Sequence, residues 1–220
     1  MAGDALPVLP SSRRIVDTVQ AALRSAIFDG ALRAGETLSV PALARRLNVS
    51  RSPVREAVLG LVAQGLAVEQ PRRGAVVATV DPADLLAIHE VRIFLEAGAA
   101  SLCAQRITRD GVSELRKILR AQEAAVKTDD ATGYFRTNAA LHRAIAQAAG
   151  NERLVLILAT LEDQMRIALH RLAANSAHMR EGLAEHRAVV EAIAAHDTAA
   201  AERHMRLHIE DTIARLRSAS

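Results

Sequence analysis

Three histidines stand where apolar residues are expected. At helical spacing, Phe135, Asn138, His142, Ile145 and Ala149 share one face. Leu183, His186, Val190 and Ile193 make a second such face, and Met205, His208 and Thr212 a third. A lone imidazole on an apolar face is ordinarily a satisfied core residue. Three converging from three helices, with the Asn138 amide one turn from His142, are better explained by a divalent ion. Such ligands suit zinc first, with nickel, iron, manganese or copper as alternatives. Arg92 is out of place in a similar way, midway along the stripe Leu85, Ile88, Leu95, Ala99 and Leu102. A guanidinium facing a core needs an anionic partner. Glu96, one turn on, can supply it from within the helix, and the carboxylate of a bound organic acid can supply it from outside.

A second kind of chemistry lies at Leu47-Asn48-Val49-Ser50-Arg51-Ser52-Pro53-Val54-Arg55-Glu56. Ser50 reads as an N-cap whose hydroxyl accepts from an orphan amide. Pro53 falls in the first helical turn, where a missing N–H costs little. Val54, Val58 and Leu61 form the core face of the helix that follows. Arg51 and Arg55, four apart, share another face at its N-terminal end. A helix N-terminus favours phosphate, and an arginine in the major groove can grip guanine bidentately. A surface helix with solvated arginines has the same spacing.

The elements around these residues follow from periodicity and turn chemistry. Residues 1–11 are expected to form a flexible tail. Ile15, Val19, Ala22, Leu23, Ala26 and Ile27 define a first helix, and Gly30 and Gly35 bracket the turn after it. Pro41 lies near the start of a short helix ending at about Leu47. Beyond the Arg51/Arg55 helix, Gly65 closes the segment, and Ala67 to Gln70 and Ala75 to Val80 read as two strands. Pro71-Arg72-Arg73-Gly74 turns between them and makes a wing, with two arginines beside a glycine that permits close approach to a backbone. Asp81-Pro82 marks a boundary, with Asp81 as cap and Pro82 at the first helical position. Residues 12–80 thus form one domain and 81–220 another. The second holds six helices, at 82–106, 108–127, 130–149, 151–173, 178–196 and 197–218. Thr108, Asn151 and Asp197 are expected caps, and Gly150 suits a helix end.

Charge divides along the same boundary. Net charge is only +3, but up to Val80 there are ten arginines against six acidic residues. All eight histidines lie beyond Val80. That segregation suggests one module that touches phosphate and another that touches metal. Aromatic residues are only 2% of the chain, and the excess of alanine and leucine points to a mainly helical protein. No apolar run is long enough to span a bilayer, and Met1 to Pro10 lacks a signal peptide's pattern. The single Cys103 cannot form an internal disulfide, which fits the cytoplasm. A metal-dependent enzyme is disfavoured. There is no glycine-rich phosphate loop or nucleophile elbow, and Glu185, adjoining His186, points off the inward face and leaves no free carboxylate as base.

Ala42-Leu43-Ala44, followed by Asn48-Val49-Ser50-Arg51-Ser52-Pro53-Val54-Arg55-Glu56-Ala57, closely resembles the signature of the GntR family of bacterial transcription regulators. Gly30 to Leu38 looks like that family's entry segment. Ile88 to Glu96, Asn138 to His142, Glu185 to Val189 and Met205 to His208 resemble the FCD effector domain of its FadR-like subfamily. The likeness runs from about Val16 to Leu216.

The resemblance implies a mainly α protein, with an N-terminal winged helix-turn-helix and a C-terminal antiparallel all-α bundle. It implies a DNA-binding regulator, more often a repressor, whose operator binding is modulated by a small organic acid at a metal site. By the same likeness Asn138, His142, His186 and His208 are the ligands, and Arg92 lines the effector cavity. Asparagine replaces the family's usual aspartate, which leaves one less negative charge at the ion. Arg45, Ser50, Arg51, Ser52, Arg55, Arg72, Arg73 and Gly74 face double-stranded DNA. Pro41 stands where relatives often present a polar side chain to DNA, a contact proline cannot make. His89, His170, His178, His196 and His204 match no ligand position and are expected at the surface or rim. A lone winged helix offers a small interface, so a homodimer on an inverted-repeat operator is expected. The alternatives are a metal-free domain that only dimerises and the disfavoured metalloenzyme.

Overall fold

The computed structural model describes residues 13–169 and 176–219, so the expected tail and His170 lie outside it. The chain divides into two compact units between Thr79 and Val80.

In the first unit α1 spans Arg13–Phe28, α2 Val40–Leu47 and α3 Arg51–Ala63. Val19, Leu23 and Ile27 of α1 meet Val54, Ala57, Val58 and Leu61 of α3 in its core. Asn48 ends α2 in the left-handed region at φ 52°, its N–H donating to the carbonyls of Ala44 and Arg45. Ser50 has N-cap backbone geometry, but its hydroxyl makes no capping bond. The serine therefore starts the helix through its backbone alone, and no cap bond from its side chain occupies the first-turn amides.

Strands β1 (Ala67–Gln70) and β2 (Gly74–Val77) pair antiparallel, with Ala67 opposite Val77 and Gln70 opposite Gly74. β2 starts one residue before the expected Ala75 and stops three short of Val80. Beyond Val77 the chain leaves the ladder, where Ala78 N–H donates to Leu66 O. A second, short pairing lies outside the expected hairpin: Gly35 and Leu38 N–H donate to Val77 and Ala75 carbonyls, bridging Thr37 to Val76. The glycine-bracketed turn thus doubles as a sheet edge.

The second unit is a helical bundle of α4 (Pro82–Arg106), α5 (Arg109–Lys127), α6 (Ala131–Ala148), α7 (Glu152–Leu169), α8 (Ser176–Ala194) and α9 (Thr198–Ala219). Asp81 and Asp84 form a reciprocal capping box, and Thr108, Asn151 and Asp197 each accept first-turn amides. α4 packs against α6, α7, α8 and α9. Its Ala97, Ala99, Ala100, Cys103 and Ala104 are all almost fully buried, and such small side chains let neighbouring helices approach closely. Leu115, Leu141, Ile145, Ile193, Met205 and Ile209 fill the space between the helices. Among the described residues, no helix is long and apolar enough to cross a membrane.

Candidate DNA interface and metal centre

The buried face of α3 leaves Arg51, Ser52 and Arg55 exposed on its opposite side. Arg45, on the last turn of α2, and Ser50 are exposed beside them. An open depression between α2 and α3 is lined by Pro41, Arg45, Ser50 and Arg51, among others. At the wing, Arg72, Arg73 and Gly74 are exposed, and Arg72 turns the chain at φ 65°. Arg73 donates to Gln70 Oε1 at 3.2 Å, which braces it along the strand. Arg45, Arg51, Arg55 and Arg72 have no ion-pair partner among the described residues. Unpaired arginines at the start of α3, on the last turn of α2 and at the wing form a surface suited to phosphate and base edges.

In the second unit, α6, α8 and α9 bring His142, His186 and His208 together. Their Nε2 atoms form a near-equilateral triangle: 3.2 Å from His186 to His208, and 3.3 Å from His142 to each of the other two. Each Nδ1 is separately committed. His208 Nδ1–H donates to Glu185 Oε2 at 2.7 Å, His186 Nδ1–H to Gln122 Oε1 at 2.9 Å, and His142 Nδ1–H to Glu96 Oε2. With the protons on Nδ1, three bare Nε2 lone pairs point at one another.

Burial holds His186 and His208 below the usual histidine range and keeps them neutral, even with Glu185 beside His208 pulling the other way. Lone pairs crowded at that distance repel unless a cation sits between them. An ion with nitrogen ligands at about 2.0–2.1 Å in tetrahedral geometry has ligand-to-ligand edges of about 3.3–3.4 Å. The triangle fits that size. Asn138, half-buried one turn before His142, shares its face of α6 but makes no hydrogen bond among the described residues.

Two carboxylates back the histidines. Burial pushes Glu96 up, but the Arg92 guanidinium and His142 outweigh it and hold its carboxyl well below the usual range. Burial likewise raises Glu185, while His208 and Arg215 bring it down to about 2. Arg215 grips Glu185 with two bonds, at 2.7 and 3.0 Å. The expectation that Glu185 points off the inward face is thus corrected. α8 is covered by α5 on one side and α9 on another, so neighbouring residues on it can both be engaged. Neither carboxylate is free to act as a base, because each is held between a histidine and an arginine.

Arg92 is buried, and of its two candidate partners it has the one within the helix. Its Nε donates to Glu96 Oε1 at 2.5 Å, and its Nη1 lies 3.1 Å from both His89 Nδ1 and Met165 Sδ of α7. The buried stripe of α4 therefore runs through His89, Arg92, Glu96 and Ala100, and Ile88, Leu95 and Leu102 are only half-buried. His89, expected at the surface or rim, is buried at 6% exposure. The polar residues, not the apolar ones, lie on that inward face because they bond to one another there. His178 and His204 are half-buried and His196 is exposed.

Gln122 was missed altogether. It is fully buried on α5, on a stripe with Leu115, Leu119 and Ala125. A polar residue amid apolar ones at helical spacing is the same signal that singled out the histidines.

Burial and the adjacent Arg92 lower His89 from the usual 6.5 to about 3. Its folded pKa lies below its unfolded one, so the unfolded chain takes up the proton first. Stability is then full above pH 6.5 and falls as pH drops from 6.5 toward 3, by up to about 1.4 kcal/mol per pH unit. Urea unfolding of metal-free protein at pH 7.5 and 5.0 should show a lower midpoint at pH 5.0, and His89→Gln should narrow the gap. An unchanged gap in that variant would remove His89 as a source of the acid sensitivity.

Comparison with known proteins places both units. Residues 15–77 match the family described as bacterial regulatory proteins, gntR family, and residues 87–211 match the FCD domain. The HTH-type transcriptional regulator LutR of Bacillus subtilis is 31% identical, over 83% of this chain and 92% of its own. The gluconate operon transcriptional repressor of the same organism is 30% identical, over 65% of this chain and 58% of its own. The Escherichia coli McbR/YncC structure superimposes with a TM-score of 0.77 at 26% identity, covering 96% of this chain and 99% of that one.

Proposed function

The chain belongs to the gntR family of bacterial regulatory proteins and carries an FCD domain, which makes it a DNA-binding transcriptional regulator and not an enzyme; from that premise we propose that it is a metal-dependent, acid-responsive repressor. It works in the cytoplasm as a homodimer on an inverted-repeat operator. Its α3 arginines read base edges and its wing arginines hold phosphate. The name of one relative, a gluconate operon repressor, supports repression as the mode.

The observation that carries the metal half of this proposal is the triangle of three Nε2 atoms 3.2–3.3 Å apart, each ring held in place by a contact at its own Nδ1. His142, His186 and His208 hold the ion in this reading, with Asn138 as a fourth ligand. When bound, the ion would take the carboxylate of a small organic acid either in place of Asn138 or by expanding to a fifth ligand. Arg92 offers that acid a second cationic contact, provided its hold on Glu96 or His89 loosens. Because the three histidines come from three helices, acid binding biases the packing of α6, α8 and α9. Only four residues separate Val77 of β2 from Pro82 of α4, so little slack absorbs such a shift. The effect on DNA is bounded by the acid's differential affinity for the two dimer geometries, with couplings of about 1–3 kcal/mol being typical.

Gel shifts on inverted-repeat, half-site and scrambled duplexes test the DNA half. Arg55→Ala is expected to cost about 1–3 kcal/mol of binding to the operator and much less on the scrambled duplex. Arg72→Ala, a phosphate contact, should weaken both alike. Equal loss on both duplexes for Arg55→Ala would take it out of base readout, and equal affinity for half-site and full operator would remove the dimer. A thermal-shift screen of small carboxylic acids on zinc-loaded protein tests the effector half, since a ligand of the folded state raises its melting temperature.

A further inference from the structure

The three Nδ1 positions of the histidine triangle do not have equivalent partners. Glu96 and Glu185 are ionised carboxylates, which can only accept, and they pin the proton of His142 and of His208 on Nδ1. Gln122 is an amide. Its Oε1 accepts from His186 Nδ1 at 2.9 Å, while its Nε2, in a side chain with 0% exposure, has no hydrogen-bond partner among the described residues. A half-turn of the terminal amide exchanges the two atoms without moving the backbone. Nε2 then donates to His186 Nδ1, and the His186 proton sits on Nε2 instead. From there it points at the bare Nε2 atoms of His142 and His208, 3.3 and 3.2 Å away.

We propose that Gln122 is a positioning residue that switches His186 between its two neutral tautomers, and so sets how readily the triangle takes up and releases its ion. This rests on the metal reading above. With Oε1 toward His186, all three Nε2 atoms are bare and suited to a cation, at the cost of a stranded Gln122 N–H. With Nε2 toward His186, the orphan donor is satisfied, and an N–H···N bond inside the triangle replaces the cation. His186 loses a proton at Nδ1 and gains one at Nε2, so the exchange is neutral overall. A carboxylate at position 122 would have abolished the second state. The amide keeps the metal-free bundle self-satisfied and the ion exchangeable.

The test is side-chain 15N spectroscopy of the full chain, selectively labelled at histidine, with and without zinc, paired with zinc titration against a competing chelator. In the parent protein His186 should carry its proton on Nε2 without zinc and on Nδ1 with it. Q122E should hold it on Nδ1 in both states and bind zinc about 10–100-fold more tightly. Q122M, which has no amide to present either atom, should weaken zinc by about tenfold or more and covers the case in which Q122E does not fold. Parent His186 protonated on Nδ1 in both states, or unchanged zinc affinity in both variants, overturns the role of Gln122. If His186 changes tautomer between parent and Q122E but the protein takes up no zinc, the metal reading falls and with it the control of ion uptake, and only the tautomer pairing of Gln122 with His186 stands.

Discussion

Replacing His186 with alanine is expected to strip the second unit of its ion and silence its response to acids, with operator binding nearly unchanged. Two imidazoles cannot hold a divalent ion as three do. Loss of a mere outer partner already costs about 10–100-fold in affinity, and a lost ligand costs more. The residues proposed to contact DNA belong to the other compact unit, which keeps its own core of Val19, Leu23, Val54 and Leu61. The substitution also leaves a cavity, because His186 has 0% exposure, so a lower melting temperature is part of the expected result. Elemental analysis should find about one ion per chain in the parent and none in the variant. Equal metal content in parent, His142→Ala and His186→Ala would mean that the triangle is only a packed core.

Glu96→Ala should be the most destabilising single change on α4, by about 3–5 kcal/mol. The Glu96 and Arg92 side chains are 6% and 7% exposed, so removing the carboxylate leaves a buried guanidinium with only the neutral His89 and the Met165 sulfur as contacts. His142 loses its Nδ1 acceptor at the same time. The Arg116–Glu191 pair makes the contrast: at 47% and 63% exposure, water screens it, and Glu191→Ala should cost at most about 1 kcal/mol. Urea unfolding of both variants at neutral pH measures the difference. A cost below about 1 kcal/mol for Glu96→Ala would mean that water reaches the pair.

The helices of the second unit were legible because their signals are local. Asp81-Pro82, Thr108, Asn151 and Asp197 each announce a helix start through a side chain that bonds to its own first turn. The three histidines were legible as interruptions of apolar stripes, and the structure brings them within hydrogen-bonding distance of one another. What surrounds them was less so. Arg92 could be paired from sequence either with Glu96 or with a ligand, and it is the packing of α4 that turns His89, Arg92 and Glu96 inward together and makes the Glu96 bond. Glu185 could not be placed, because periodicity assigns one inward face per helix and α8 is covered on two sides. Gln122 carried a readable signal on its α5 stripe, but its partner is 64 residues away in sequence. The pairing of Thr37 with Val76 is likewise long-range, in a segment whose glycines suggested only a turn.

X-ray absorption on the zinc-loaded full chain tests the central claim most directly. One zinc per chain with three imidazole nitrogens at about 2.0–2.1 Å is the expected result, reduced to a weaker or absent signal in His208→Ala. Zinc that washes out on gel filtration, or that is retained with no imidazole in its shell, would contradict a metal centre at His142, His186 and His208.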